Sequence, residues 1–219
     1  MKLNDRAFAV LATDIAVLSV DGKELKVLLT TAKSINFKGV PTLPGGLVGL
    51  TEKTNEAAKR ILAEVVKSTD FYMEQLYTFD DPSRDPAGRV VSVVYLMLVP
   101  WVEAKQVIKN DANWYPVKSL PKLAYDHNEV VKAAAERLIG KLTYTNIVYG
   151  LMPEEFTLSE LQNVYETVLD HTIDKRNFRK KILSLGLLTT LSRKRSGTAN
   201  RPAQLYTFAT KGLREIEIL

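Results

Sequence analysis

The run RVVSVVYLMLVP, residues 89–100, constrains the fold more than any other stretch. It is apolar and β-branched, which favours a strand. It is far shorter than the roughly 20 apolar residues that a membrane-crossing helix needs. It therefore reads as a central strand buried inside a sheet. FAVLATDIAVLSV (8–20) and LKVLLTT (25–31) are further strands, with DGK between them as a turn. The first of these is interrupted by Asp14, so it is too short to span a bilayer, and it lacks the basic start of a signal peptide. The chain has no Cys, hence no disulfide, thiolate metal site or Cys nucleophile. The lack of Cys fits a reducing cytoplasm, and the short apolar runs lead to no expected membrane partner.

The order of elements divides the 219 residues into two parts. In the first, NFKGVPTLPGG (36–46) is a loop with one short strand. TEKTNEAAKRILAEVVKS (51–68) is a helix, with Thr54 as its expected N-cap and Ala57, Ile61, Leu62 and Val65 at helical spacing. DHNEVVKAAAERLIGKL (126–142) is another, capped by Asp126, with Val130, Ala134, Leu138 and Leu142 as its buried stripe. This predicts a mixed α/β (α+β) domain over 1–142. After the connector TYTNIVYGLMPEEF, the helix beginning at TLSE (157–160) carries a capping-box signature. DKRNFRKKILSLG is a second helix, capped by Asp174 and stopped by Gly186. LLTTLSRKRSGTANRPAQLYTF then gives two strands joined by a basic loop. Helix, turn, helix, hairpin is a winged helix-turn-helix, expected over 143–219.

The charge separates the same two parts. His171–Lys211 holds ten Lys or Arg and one acid, Asp174, so it carries +9 of a chain total of +5, and the rest carries −4. One part of the molecule thus expects an anionic partner. On the second helix, Phe178, Ile182 and Leu185 would face the core. Arg176 and Lys180 then face away, flanked by Asn177 and Arg179, and Lys175 is a further expected DNA contact. Arg reads guanine and Asn reads adenine in a major groove. Arg193, Lys194, Arg195 and Arg201 in the hairpin would contact phosphates of double-stranded DNA.

LPGGLVGLTEKTNEAAKRILAEVVKS resembles the Nudix box, G-x5-E-x7-R-E-U-x-E-E-x-G-U with U aliphatic. Gly46, Glu52, Arg60, Leu62 and Glu64 fall in register. Ile61 stands where the first helical Glu belongs, Val65 replaces the last Glu, and Lys67 replaces the Gly. Positions 61, 64 and 65 share one helix face, where three carboxylates would hold Mg²⁺ against a pyrophosphate. One remains. Glu52 is expected to pair with Arg60 and hold the loop. The residual Nudix positions are therefore Glu52, Arg60 and Glu64, with no confident catalytic residue and no resident metal. No cofactor is required on this reading, and Mg²⁺ would bind weakly, helped by a ligand's phosphates. An active hydrolase of the ADP-ribose pyrophosphatase type is the alternative.

YMEQLYTFDDPSRDPAGRVVSVVYLMLVP, together with the Trp114–His127 segment, resembles a subgroup that includes the Nudix-related transcriptional regulators. FTLSELQNVYE, DKRNFRKKIL and RPAQLY resemble their C-terminal winged helix. The resemblance implies a Nudix fold, a mixed sheet between helices, followed by a winged helix-turn-helix. It also implies a homodimeric repressor on a palindromic operator, with ADP-ribose, a related NAD-derived compound, or a pentose such as arabinose as effector. The effector residues expected are Gly45, Gly46, Glu64, Arg84 and Arg89. An Arg at a cleft mouth can hold phosphate bidentately, although Arg84 could equally pair with Asp85 or Asp81 in its turn. Of the two histidines, His127 reads as capping or packing, and His171 as a phosphate contact or none.

Overall fold

In the computed structural model, the described residues are 8–66, 70–105, 111–195, 202–210, 212–216 and 218. Among them, seven strands form one mixed sheet. The long strands β1 (Val10–Asp21) and β6 (Val90–Leu98) run parallel at its centre. β5 (Tyr72–Phe79) lies antiparallel on the far side of β6. β2 (Glu24–Thr31) folds back on β1 through Gly22, whose φ of +59° suits the turn. The short strands β3 (Pro41–Thr42), β4 (Gly45–Leu47) and β7 (Asn113–Pro116) pair with β2, β1 and β2. Residues 89–100 thus supply an inner strand, as their composition requires.

A helix covers each face. α1 (Thr54–Val65) buries Ala58, Ile61, Leu62 and Val65 against Ile15, Val17, Tyr95 and Met97. It starts one residue earlier than its expected cap allows. Lys53 holds the cap position, Glu56 accepts from its N–H, and Thr54 is already helical with its hydroxyl 2.7 Å from Tyr95 Oη. α1 ends at Val65 with Val66 extended, and Lys67 lies outside the described residues. After the four-residue α2 (Trp101–Ala104), α3 (His127–Tyr144) lays Val130, Ala134, Leu138 and Leu142 on the other face. Asp126 occupies its cap position but makes no capping hydrogen bond, because its carboxylate is engaged elsewhere.

The last third is a helix pair and a ribbon. α4 (Leu158–Leu169) has its capping box in place: Thr157 accepts from Glu160 N–H and Glu160 accepts from Thr157 N–H. α5 (Lys175–Ser184) is capped by Asp174, which accepts from Asn177 N–H, and Gly186 follows with φ +62°. Phe178 and Ile182 are buried and Leu185 half-buried. β8 (Leu188–Arg195) and β9 (Ala203–Phe208) form the antiparallel ribbon, and its tip, with Arg201, lies outside the described residues.

The connector read from sequence is not a loose linker. Ile147, Val148 and Leu151 are buried, and one apolar core runs from α3 through them to Leu161, Tyr165, Phe178 and Ile182. Tyr72 of β5 stacks edge-on with Tyr149 at 5.7 Å, and Tyr149 with Phe208 of β9 at 6.3 Å. Asn163 of α4 donates to the Gly22 carbonyl at the β1–β2 turn, at 2.5 Å. Arg214, Ile216 and Ile218 return alongside the end of α3: Ile216 and Ile218 N–H donate to the Tyr144 and Thr143 carbonyls, and the Arg214 carbonyl accepts from Asn146 N–H.

Candidate functional sites

A cavity of about 300 Å³ opens between β1, β2, the β3–β4 loop and α1. Its lining includes Gly45, Gly46, Ile61, Glu64, Val65 and Arg84, which the sequence singled out. Arg89 is not among the lining residues and donates to the Asp80 carbonyl instead. Glu52 and Arg60 also lie off the lining. Arg60 donates to both Glu52 oxygens and to the Leu47 carbonyl, and Gly49 N–H adds a further bond to Glu52. Arg60 first and Gly49 second hold the Glu52 carboxyl down at about 2. The pair fixes the loop between β4 and α1, as expected.

The α1 face toward the cavity carries Ile61 and Val65 beside Glu64. Among the described residues, no group of three or more His, Asp or Glu is placed to hold a metal ion. The donor set does not fit a resident Mg²⁺, which needs more than one protein carboxylate unless a ligand supplies oxygens.

The cavity floor is a buried polar network that sequence reading missed. Arg84 donates through Nε and Nη2 to both oxygens of Asp126, at 3.0 and 2.8 Å, and Nη2 also lies 3.4 Å from Asp14 Oδ2. Its guanidinium therefore meets neither the Asp81 nor the Asp85 carboxylate, the two read from its own turn. Only 6% of Arg84 and 7% of Asp14 is exposed. Ser92 donates to Asp14 Oδ2 at 2.6 Å, and His127 Nε2 lies 3.5 Å from the same oxygen. His127 Nδ1 accepts from Leu43 N–H at 3.1 Å and faces the Thr42 hydroxyl at 2.9 Å. That leaves the ring proton on Nε2, pointing at Asp14. Burial pushes the Asp14 carboxyl up, but His127, Ser92 and Arg84 outweigh it and hold it below its ordinary value. The usable signal was Asp14 itself: a carboxylate inside an apolar strand must find partners. Tyr125 also lines the cavity, with φ +56°, and packs on Phe37 and His127.

The second site is the outer face of α5. Lys175, Arg176, Asn177 and Lys180 are exposed, with Arg176 and Lys180 on the side opposite Phe178 and Ile182. Among the described residues no acidic side chain pairs with these three cations. Arg179 is half-buried and donates to Ser159 at 3.1 Å. In the ribbon, Arg193 pairs with Glu155 and Arg195 with Glu160, while Lys194 is exposed. His171 is exposed in the turn before α5, its Nδ1 3.1 Å from the Leu169 carbonyl. No helix among the described residues is long and apolar enough to cross a membrane.

Both domains match known proteins. Residues 10–134 match the NUDIX domain, and residues 148–208 match the NrtR DNA-binding winged helix domain. The chain is 34% identical over 212 residues to the ADPR responsive transcriptional repressor NtrR of Acinetobacter baylyi, covering 94% of this chain and 84% of that protein. It is similar to the crystal structure of Shewanella oneidensis NrtR complexed with a 27mer DNA, with a TM-score of 0.81, 32% identity, and coverage of 90% of this chain and 93% of the other. The NUDIX domain of the same Shewanella protein, complexed with ADP ribose, matches at 31% identity and a TM-score of 0.53, over 63% of this chain and 94% of that one. A basic helix on a winged-helix frame follows a Nudix sheet in one chain, and both halves match along nearly its whole length; the chain belongs to the NrtR family of Nudix-related transcriptional regulators.

Proposed function

We propose that the protein is an operator-binding repressor whose cavity takes ADP-ribose, and that ligand binding loosens its hold on DNA. The observation that carries the reading is the α1 face: Ile61 and Val65 flank Glu64 where a hydrolase needs a carboxylate cluster. Such a cavity can enclose a nucleotide sugar without cutting it. The names of the Acinetobacter and Shewanella relatives supply the choice of ligand. Mg²⁺ is at most an adjunct held by the ligand's own phosphates, and no cofactor is needed for binding.

The reader of DNA is α5. Its N-terminal residues Lys175, Arg176 and Asn177 meet base edges first, and Lys180 and the ribbon cations contact phosphates. A palindromic operator calls for a homodimer, which places two such helices at a fixed spacing. The protein works in the cytoplasm, where DNA and NAD-derived metabolites are both present. The effect on DNA is a population shift: ligand favours a domain arrangement in which the two helices no longer match the half-sites. The β1–β2 ribbon offers a path, since Asp14 and Thr30 line the cavity and Gly22 at the turn holds Asn163 of α4.

The test uses a duplex selected by the protein from a random-sequence pool. Titrating ADP-ribose into the complex should release the duplex in a gel shift, with no AMP formed when Mg²⁺ is present. AMP release that disappears in Glu64→Gln would replace this reading with that of a hydrolase.

A further inference from the structure

We infer that Asp14 Oδ1 is the acceptor for a sugar hydroxyl at the cavity floor, and that it gives the protein its preference for a nucleotide carrying a second, unphosphorylated sugar over the same nucleotide without it. The inference rests on the effector reading above, and names which end of the ligand goes down.

The two oxygens of Asp14 are not equivalent. Oδ2 is crowded, with Ser92 at 2.6 Å, Arg84 Nη2 at 3.4 Å and His127 Nε2 at 3.5 Å. Oδ1 has no hydrogen-bond partner among the described residues, yet Asp14 lines the cavity and keeps 7% of its surface exposed. A carboxylate oxygen with no protein donor is left for water or a ligand to satisfy. Gly45, opposite Asp14 across the β1–β4 pair, makes room for the carboxylate itself. A Cβ placed on Gly45 would stand 1.9 Å from Oδ1 and 3.2 Å from the Thr13 carbonyl, so only glycine permits the approach.

Charge decides what kind of donor fits. The floor holds two carboxylates, Asp14 and Asp126, against one guanidinium, Arg84, so its sum is −1. His127 sits beside them, with Nδ1 toward the Leu43 N–H and Nε2 facing Asp14. A phosphate at the floor would be repelled, and Arg84, already clasped by both aspartates, is not free to hold it. A neutral hydroxyl is accepted, and an ionised acceptor makes that bond stronger than a neutral one. The pyrophosphate then lies toward the lining on the β2 side, where exposed Lys33 is found. A free pentose has the same hydroxyl chemistry, so the experiment must separate the two sources.

Dissociation constants for ADP-ribose, ADP and free D-ribose and L-arabinose are measured by calorimetry on the full chain, for wild type, Asp14→Asn and Gly45→Ala. The quantity read is the ADP-ribose to ADP ratio within each protein, so a lowered stability cancels. Wild type should prefer ADP-ribose, and Asp14→Asn should narrow that preference by about tenfold or more, the share of a charged hydrogen bond. Gly45→Ala keeps the charge but blocks Oδ1, and should narrow it likewise; it decides the matter if Asp14→Asn does not melt cooperatively. A wild-type ratio retained in a folded variant overturns the inference while leaving the effector reading intact. So does a parallel loss of ADP and ADP-ribose affinity. If wild type binds a pentose but neither nucleotide, and Asp14→Asn weakens the pentose, the hydroxyl acceptor stands and ADP-ribose falls. Binding of none of the four overturns both.

Discussion

Arg84 and Arg176 carry the same guanidinium into opposite situations. Arg84 lies under the cavity, with 6% of its surface exposed, and is clasped by Asp126 and Asp14. Arg176 stands on α5 in solvent, with no acidic partner among the described residues. A buried Arg without its carboxylates would face a desolvation cost of several kcal/mol, so it is committed to them. An exposed Arg keeps its hydration until a polyanion arrives, and then gains by releasing the polyanion's counterions. The two domains thus use charge differently. In the sensor it fixes geometry, and on the outer face of α5 it is held available.

The sharpest way to break this contrast is Arg84→Met. Removing the cation leaves Asp14 and Asp126 facing each other across a buried floor, which should destabilise the fold by about 3–5 kcal/mol. Urea unfolding measures it, and a loss below about 1 kcal/mol would mean the pair is not held ionised. The acid limb gives a second reading. Asp14 is held below its ordinary value of 3.8, so its contribution is complete above that pH and fades as pH falls through the lowered value. Arg84 is one of the groups that lower it, so the variant should begin to lose this contribution at higher pH than wild type.

The next effect belongs to the reader. Arg176→Ala combined with Lys180→Ala should weaken operator binding by about 2–4 kcal/mol, since one side chain reads a base edge and the other holds a phosphate. The slope of log affinity against log salt should become shallower by about one, because one phosphate fewer is neutralised. Melting with ADP-ribose should be unaffected. A surviving gel shift would remove α5 as the recognition helix.

The same contrast explains what could be read in advance. The α5 face, the Thr157–Glu160 capping box and the Glu52–Arg60 pair are local: each is written within about three turns of helix or less, and each was legible. The floor is not local. Arg84 meets Asp126 42 positions away and Asp14 70 away, and Ser92 meets Asp14 across 78. Nothing in the turn around Arg84 points past its neighbours Asp81 and Asp85. Only the sheet, by pairing β1 in parallel with β6, sets Asp14 beside Val94 and within reach of Ser92. Arg89 shows the opposite error, since proximity in sequence to Arg84 does not carry it to the cavity.

Gly150 tests whether sensor and reader move as one packed body. A Cβ there would stand 2.9 Å from Leu98 Cβ and 3.0 Å from Tyr72 Cβ, both rooted on the sheet. Gly150→Ala should therefore cost about 1–3 kcal/mol by overpacking. Because the wedge sits where the connector meets β5 and β6, release of DNA by ADP-ribose should change more than the affinity for ADP-ribose itself. Equal changes in both would argue against coupling through this contact.

The smallest effect should come from Thr157→Ala. Thr157 accepts from Glu160 N–H at 3.2 Å, and Glu160 accepts in return from Thr157 N–H at 2.7 Å. Losing the hydroxyl exposes one donor at the start of α4 and should cost about 1 kcal/mol, a fall of roughly 2–4 °C in Tm for a chain of this size. The cap lies in the helix that supports α5, far in sequence from the floor around Asp14, so the rise in Tm given by ADP-ribose should match that of wild type. Glu160 also receives Arg195 of the ribbon, so a slackened cap frees a cation from its acid. Operator affinity should then hold or rise slightly while stability falls. If stability and affinity fall together, Arg195 is positioned by Glu160 for DNA, and the reader's charges are more fixed than the contrast with Arg84 allows.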